Sequence, residues 1–341
     1  MKIKRGYRRI LVIGMIVLLG LVMLGALLFG ATHIPAKDVY HAIANRFSAQ
    51  WIVPEKVDTI VWRIRIPRIL LGALVGLLLA VSGTILQGIL RNPLADPYLL
   101  GVSAGGGIGA AIAIVLGGSM TLIGTGFIPL LAFLFALAAV LIVYRLSHVA
   151  GRTAPETLIL AGVAVSAFAS AILALLIILS GQLQTIFFWL LGSLANATWI
   201  DVFAILPYAL VGIVFAYFYS KDLNAMLLGE EGARTLGIDV NRTRRLLLIV
   251  ASLMAAAAVS VSGLIGFIGL IIPHFIRLLV GPNYRLLVPL AAISGMIFMI
   301  VADVIARTVL SPMEIPIGII MALVGAPFFL YILRRRRMRG Y

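Results

Sequence analysis

The sequence contains no cysteine. That excludes a disulfide framework, a thiolate metal centre and a cysteine nucleophile, and it leaves the compartment open. Charge is also scarce: only 11% of the 341 residues are charged, against about 25% in a soluble domain. Acidic residues are the rarer kind, 12 against 27 basic ones. No polar stretch is long enough to form a soluble domain. Gly-x-x-x-x-Gly-Lys-Ser/Thr is missing, so no P-loop cradles nucleotide phosphates, and His-Glu-x-x-His is missing too. Gly105-Gly-Gly-Ile-Gly109 lies inside an apolar helical run and follows no strand, so it is not a dinucleotide loop.

What is present is hydrophobic: 62% of the residues are apolar, where a soluble chain carries roughly 45–50%. A bilayer is the solvent that accepts such a chain, and about 20 apolar residues cross its core. Uncharged runs divide the sequence into ten spans, at about 10–31, 66–90, 97–116, 125–145, 157–180, 201–220, 246–262, 264–279, 286–308 and 315–333. Turns at Gly117–Ser119 and around Gly124–Gly126 separate the third span from the fourth. The first span follows a basic start, Met1 to Arg9, but its uncharged run is far longer than the apolar core of a signal peptide. It is read as retained. The expected fold class is therefore an all-α polytopic membrane protein, with residues 1–341 forming one transmembrane domain.

Ten spans put both termini on one side. Under that threading 20 of the 27 basic residues fall on the side of the termini and seven on the other. The positive-inside rule then makes the first side cytoplasmic. The net charge of +15 is thus topological rather than a nucleic-acid footprint. Ala80-Val-Ser-Gly83 in span 2 is echoed by Ser260-Val-Ser-Gly263 in span 7. Repeats of spans 2–5 and 7–10, offset by an odd number of spans, would be inverted in the membrane.

Four stretches stand out. Arg91-Asn-Pro-Leu-Ala-Asp-Pro ends span 2 with two prolines four apart, which shape a tight turn. Residues 221–245 form the longest cytoplasmic loop. Within it Glu230 and Glu231, followed by Arg234 and Gly237, suit a short helix that could seat on a soluble partner. Gly263, Gly266 and Gly269 recur at spacing three before Pro273 and a lone His274, which reads as a packing or interfacial histidine rather than a ligand. On the outer side Arg63, Arg65 and Arg68 precede span 2, and Asp303 and Arg307 stand four apart at the end of span 9, where they can pair. Snorkelling to headgroups and docking of an acidic partner both explain such a cluster. The spans are otherwise almost free of charge, which argues against an ion-coupled carrier. A membrane-embedded enzyme would need a catalytic constellation as well.

These stretches together resemble the permease subunits of binding-protein-dependent ABC importers for iron–siderophore complexes, haem and vitamin B12, the type II importers. The resemblance rests on Arg65-Ile-Pro-Arg68, Asn92 to Gly105, Gly229 to Gly237, Gly266 to His274, Ala302 to Arg307 and Glu314-Ile-Pro-Ile-Gly318. It implies ten helices, a second permease subunit (a copy or a relative), two ATP-binding subunits and an extracytoplasmic binding protein. It implies no cofactor and no metal on this chain, with ATP used by the partner ATPase, in a bacterial cytoplasmic membrane. It assigns Arg65, Arg68 and Arg307 to binding-protein docking. Glu230, Glu231, Ala233, Arg234, Leu236 and Gly237 fall to ATPase coupling, and Asn92 and Leu94 to a cytoplasmic gate. An iron–siderophore complex is the first cargo expected, haem or a corrinoid the alternative, and an ion-coupled secondary transporter the more distant reading.

Overall fold

The structure is a computed structural model in which residues 5–30, 32–48, 51–117, 126–149 and 152–337 are described. Most of the turn expected between spans 3 and 4 lies outside the described residues, and so do both chain termini.

Helix α1 (Arg5–Leu28) is followed by α2 (Ala36–Ser48) and α3 (Glu55–Thr59). A π-helical turn, Ile60–Arg65, then leads without interruption into α4 (Ile66–Ile89). No helix breaker stands between Pro54 and Pro67; Pro67 lies inside the continuous helix, directly after the π-helical turn, and removes one backbone donor from the helical ladder there. The continuous helix Glu55–Ile89 has 35 residues, about 52 Å at 1.5 Å per residue. That exceeds the roughly 30 Å hydrocarbon core, so its first turns, which carry Arg63 and Arg65, extend beyond it.

A 3₁₀ turn, Pro97–Leu100, precedes α5 (Val102–Val115), and α6 (Phe127–Ser147) runs back. Strands β1 (His148–Val149) and β2 (Arg152–Thr153) form a short antiparallel ribbon before α7 (Pro155–Ser180). Next come α8 (Leu183–Leu190), α9 (Trp199–Phe218), α10 (Ser220–Met226) and α11 (Glu230–Thr235). The last four helices are α12 (Val240–Ser262), α13 (Ile268–Val280), α14 (Tyr284–Thr308) and α15 (Ile317–Arg337). Their starts are specified locally. Thr198 and Asp201 form a reciprocal capping box on α9, Asp239 accepts from Arg242 N at 3.0 Å, and Asn283 accepts from Arg285 N at 3.0 Å.

Among the described residues seven helices are long and apolar enough to cross a membrane, and three shorter apolar helices accompany them. Helix α4 is the centre of the bundle, buried along nearly its whole length against α9, α12, α13 and α14. By contrast α1 and α7 turn most of their apolar side chains outward. In lipid that is the ordinary state of a peripheral span, because tails and leucines are equally apolar. Glycines let α4 approach its neighbours. A Cβ built on Gly76 would lie 2.2 Å from Gly295 O, and one on Gly83 would lie 2.0 Å from Gly269 O.

The helix pairings recur. Helix α4 packs on α14 as α12 packs on α6, and α5–α6 corresponds to α13–α14. This matches an inverted relation between α4–α7 and α12–α15. The short helices α5 and α13 occupy equivalent places, each after a break. The four-residue sequence echo does not mark equivalent positions, however. Gly83 is helical and packed on Gly269, whereas Gly263 ends α12 at φ +68 against Trp189 O. The break at 263–267 is buried in protein, where irregular backbone is tolerated if neighbours satisfy it. Ile265 N donates to the Tyr98 hydroxyl at 2.8 Å, and Ser193 N donates to Ser262 O at 2.9 Å. Phe267 takes the left-handed conformation, φ +69, at the start of α13.

Candidate functional site

Charge gathers at the two ends of this bundle. At one end, Arg68 on the first turn of α4 meets Asp303 on α14. Its Nε donates to Asp303 Oδ1 at 2.9 Å, while Nη1 and Nη2 donate to the two oxygens of Glu314 at 2.9 and 3.0 Å. This is the fork-to-fork geometry that guanidinium and carboxylate share. Arg307 Nε lies 3.5 Å from Asp303 Oδ2, one helical turn away, so the pairing expected from the i, i+4 spacing is formed. The cluster holds three guanidinium groups when Arg65 is included, and two carboxylates.

Arg65, Arg68 and Arg307 are 3%, 4% and 4% exposed. Their burial follows from the end of α1. The last carbonyls of a helix have no partner within it. Arg307 Nη2 donates to Ala26 O at 2.8 Å, and Arg65 donates to Leu27 O and Thr32 O. Two of the arginines therefore cap and anchor α1, and the third is held by acids. Arg63 is exposed at this end, and Glu314 is partly so. Trp199 fixes the same region by donating its indole N–H to Trp62 O at 2.9 Å.

At the other end lies the 221–245 loop. Gly229 (φ +98) and Gly237 (φ +80) bracket α11, conformations that only glycine adopts without strain. Ala233 is buried and holds the helix down, while Glu231, Arg234 and Leu236 are exposed. Leu227 and Leu228 are exposed beside them, so the loop shows an apolar patch with charges around it. Glu230 is partly exposed and paired within the chain. It accepts a short hydrogen bond from Arg244 on α12 and lies 3.9 Å from both Arg91 and Arg234. The bond to Arg244 holds its carboxyl below the ordinary value, with the charges of Arg244, Arg91 and Arg234 adding to it. Arg244 and Arg91 as holders of the loop were not foreseen. They lie 14 and 139 residues from Glu230.

Between the two ends, close to the loop, sits the turn after α4. Asn92 Oδ1 accepts from Leu94 N at 3.0 Å, and Ala95 N donates to Asn92 O. That side-chain turn explains why Asn precedes Pro93 here. Pro93 and Leu94 face Leu270, Ile271 and His274 of α13 and Phe328 and Phe329 of α15. Asp96 caps the 3₁₀ turn through Tyr98 N, and the Tyr98 hydroxyl then reaches the α12–α13 break. Gln87 Nε2 ties α4 to α13 by donating to Gly269 O and Leu270 O at 3.2 Å each. The turn is thus wired to the second half of the chain, a role for Tyr98 that residue spacing does not signal.

Gly101-Val-Ser-Ala-Gly105 has the spacing of a nucleophile elbow, but it follows the 3₁₀ turn and opens α5 instead of joining a strand to a helix. Among the described residues no group of three His, Cys, Asp or Glu side chains is placed to hold a metal ion. His274 is buried within α13.

Comparison with known proteins points one way. The profile of the FecCD transport family matches residues 15–335. The cobalamin import system permease protein BtuC of Halobacterium salinarum is 48% identical over 307 residues, covering 90% of this chain and 80% of its own length. The hemin transport system permease protein HmuU of Yersinia pestis is 37% identical, with 95% of each chain covered. A solved inward-facing structure of a metal-chelate-type ABC transporter superposes with a TM-score of 0.82 at 31% identity, covering 95% of this chain and 99% of the other.

Proposed function

This chain belongs to the FecCD transport family and is a multi-pass ABC importer permease, not an enzyme; on that premise we propose that it moves a large metal chelate across the cytoplasmic membrane by ATP-driven alternating access. The observation that carries this reading is the pair of charged ends on one nearly uncharged bundle. ATP is bound and hydrolysed by separate partner subunits, and this chain contributes a path and levers.

In the proposed cycle two copies of the chain, or one copy and a related permease, enclose the path. ATPase subunits seat on α11 through Leu228, Arg234 and Leu236, with Glu231 at the rim. Glu230 does not touch them but transmits their motion to α4 and α12 through Arg91 and Arg244. The Asn92–Leu94 turn, against α13 and α15, closes the cytoplasmic end of the path. At the opposite end an acidic binding protein meets Arg63 first. The Arg65–Arg68–Arg307 cluster lies behind it and exchanges partners only if Glu314 moves aside. ATP and binding protein drive the cycle by their different affinities for the two states.

For the cargo, the higher identity to a cobalamin permease than to a hemin permease favours a corrinoid, 48% against 37%. An iron–siderophore complex, the family's commonest task, is the second reading. The test is reconstitution of the chain with its ATPase and binding protein in vesicles. ATP-dependent uptake of cobalamin, with ferric siderophore and hemin excluded, is expected. Uptake by the chain alone, collapsed by an ionophore, would overturn the importer reading.

A further inference from the structure

One cavity has no part in the transport reading. It encloses about 150 Å³ where the ends of α6, α7 and α12 meet beside the 221–245 loop. Its back is apolar, made by the buried Leu158 and Leu248. Its other wall is Asn241, Arg244 and Arg245, which share one side of the first two turns of α12 with Leu248. The rings of Tyr144 and His148, stacked at a centroid distance of 5.7 Å, complete the lining. Among the described residues two guanidinium groups line the cavity and no carboxylate does. Of the acids close in sequence to the lining residues, Glu230 accepts from Arg244, Asp239 caps the backbone of α12, and Glu156 is exposed in the first turn of α7. Arg245 is exposed and makes no ion pair among the described residues.

Size and charge narrow the ligand. Pockets for nucleotide-sized molecules run to about 300 Å³ or more, so this one takes a group rather than a molecule. Guanidinium forks and an amide donor beside a helix N-terminus suit a phosphoryl oxyanion. The surroundings indicate what carries it. One turn deeper in α6 and α12 stand the exposed Leu141 and Ile249. From the membrane outward the order is apolar side chains, then arginines, which is how a phospholipid presents its acyl chains and phosphate.

We propose that this cavity binds one phosphate group through Arg245, Asn241 and Arg244, and that the phosphate belongs to an anionic phospholipid of the cytoplasmic leaflet. Arg244 is shared with Glu230, so the lipid sits beside the loop that carries α11.

Native mass spectrometry of the full chain, released from micelles of phosphatidylglycerol mixed with phosphatidylcholine, tests this without any transport step. Wild type is expected to retain one phosphatidylglycerol. Arg245→Gln and Asn241→Leu are expected to retain about tenfold less, the loss of one charge-assisted contact. Arg285→Gln removes an exposed arginine at the same end but outside the cavity and is expected to match wild type. Melting in phosphatidylcholine alone checks that the variants are folded. If inorganic phosphate stabilises wild type but not Arg245→Gln, and displaces the lipid, the site stands with a soluble source. Equal retention by all four proteins, or equal loss in Arg285→Gln, overturns the proposal.

Discussion

Substituting Gly76 by alanine tests how α4 and α14 are held together. A Cβ at this position would lie 2.2 Å from Gly295 O and 2.8 Å from Met299 Cβ. Ordinary contacts begin near 3.5 Å, so the helices must part by about 1.3 Å. Overpacking of this kind costs about 1–3 kcal/mol, against about 1 kcal/mol gained from the better helix propensity of alanine. That alone would be a small effect. Arg68 and Asp303, however, stand eight residues from Gly76 and Gly295 on the same two helices, about 12 Å along the axis. Stretching their 2.9 Å hydrogen bond by part of that separation takes it beyond about 3.2 Å, where such bonds fade. Breaking a buried pair costs about 3–5 kcal/mol, and Glu314 keeps part of it here. The expected net loss is about 3 kcal/mol. It is read as a lowered melting temperature of the purified chain in detergent, with Gly20→Ala as control because nothing lies within 4 Å of that Cβ. Asp303→Asn should be costly alone and less than additive with Gly76→Ala, by about 1 kcal/mol or more. If Gly76→Ala melts like Gly20→Ala, or if the two losses simply add, the coupling through the helix separation is wrong.

Tyr98→Phe leaves the Ile265 N–H without its acceptor, a cost of about 1–3 kcal/mol, and faster hydrogen exchange confined to the 263–267 break is the expected signature; unchanged exchange there would refute it. Glu230→Gln should loosen α11 from Arg91 and Arg244. Because the carboxyl is held below its ordinary value, its contribution is complete above about pH 5 and disappears as the pH falls through the lowered value. Exchange protection of α11 in wild type should therefore be flat from neutral pH down and drop only in stronger acid, while Glu230→Gln shows no such drop. Gly325→Ala places a Cβ 2.3 Å from Phe267 Cγ and should destabilise by about 1–3 kcal/mol; adding Phe267→Ala, which removes Cγ and Cδ1, should cost less in that chain than in wild type, and equal costs would place the strain elsewhere.

The difference between what sequence and structure reveal is plainest in the arginines. Arg65 and Arg68 were legible as a cluster, and Asp303–Arg307 as a pair, because both are local patterns one turn apart or less. That Arg68 reaches across 235 residues to Asp303, and that Arg65 and Arg307 bind carbonyls at the end of α1, has no trace in spacing. The same holds at the loop. Glu230 and Arg234 read as helix-end charges, but the pairing of Glu230 with Arg244, fourteen residues on, has no signal in that pattern.

The amino-acid order by itself determined that this chain lives in lipid, that it is helical, and that its charges collect at the ends of apolar segments. Transfer from water to hydrocarbon is summed residue by residue along a segment, so it can be read without knowing any neighbour. Which polar groups face outward was decided only when the helices packed. A buried guanidinium or N–H must find a partner wherever the fold supplies one, and those partners are set by distance in space and not along the chain.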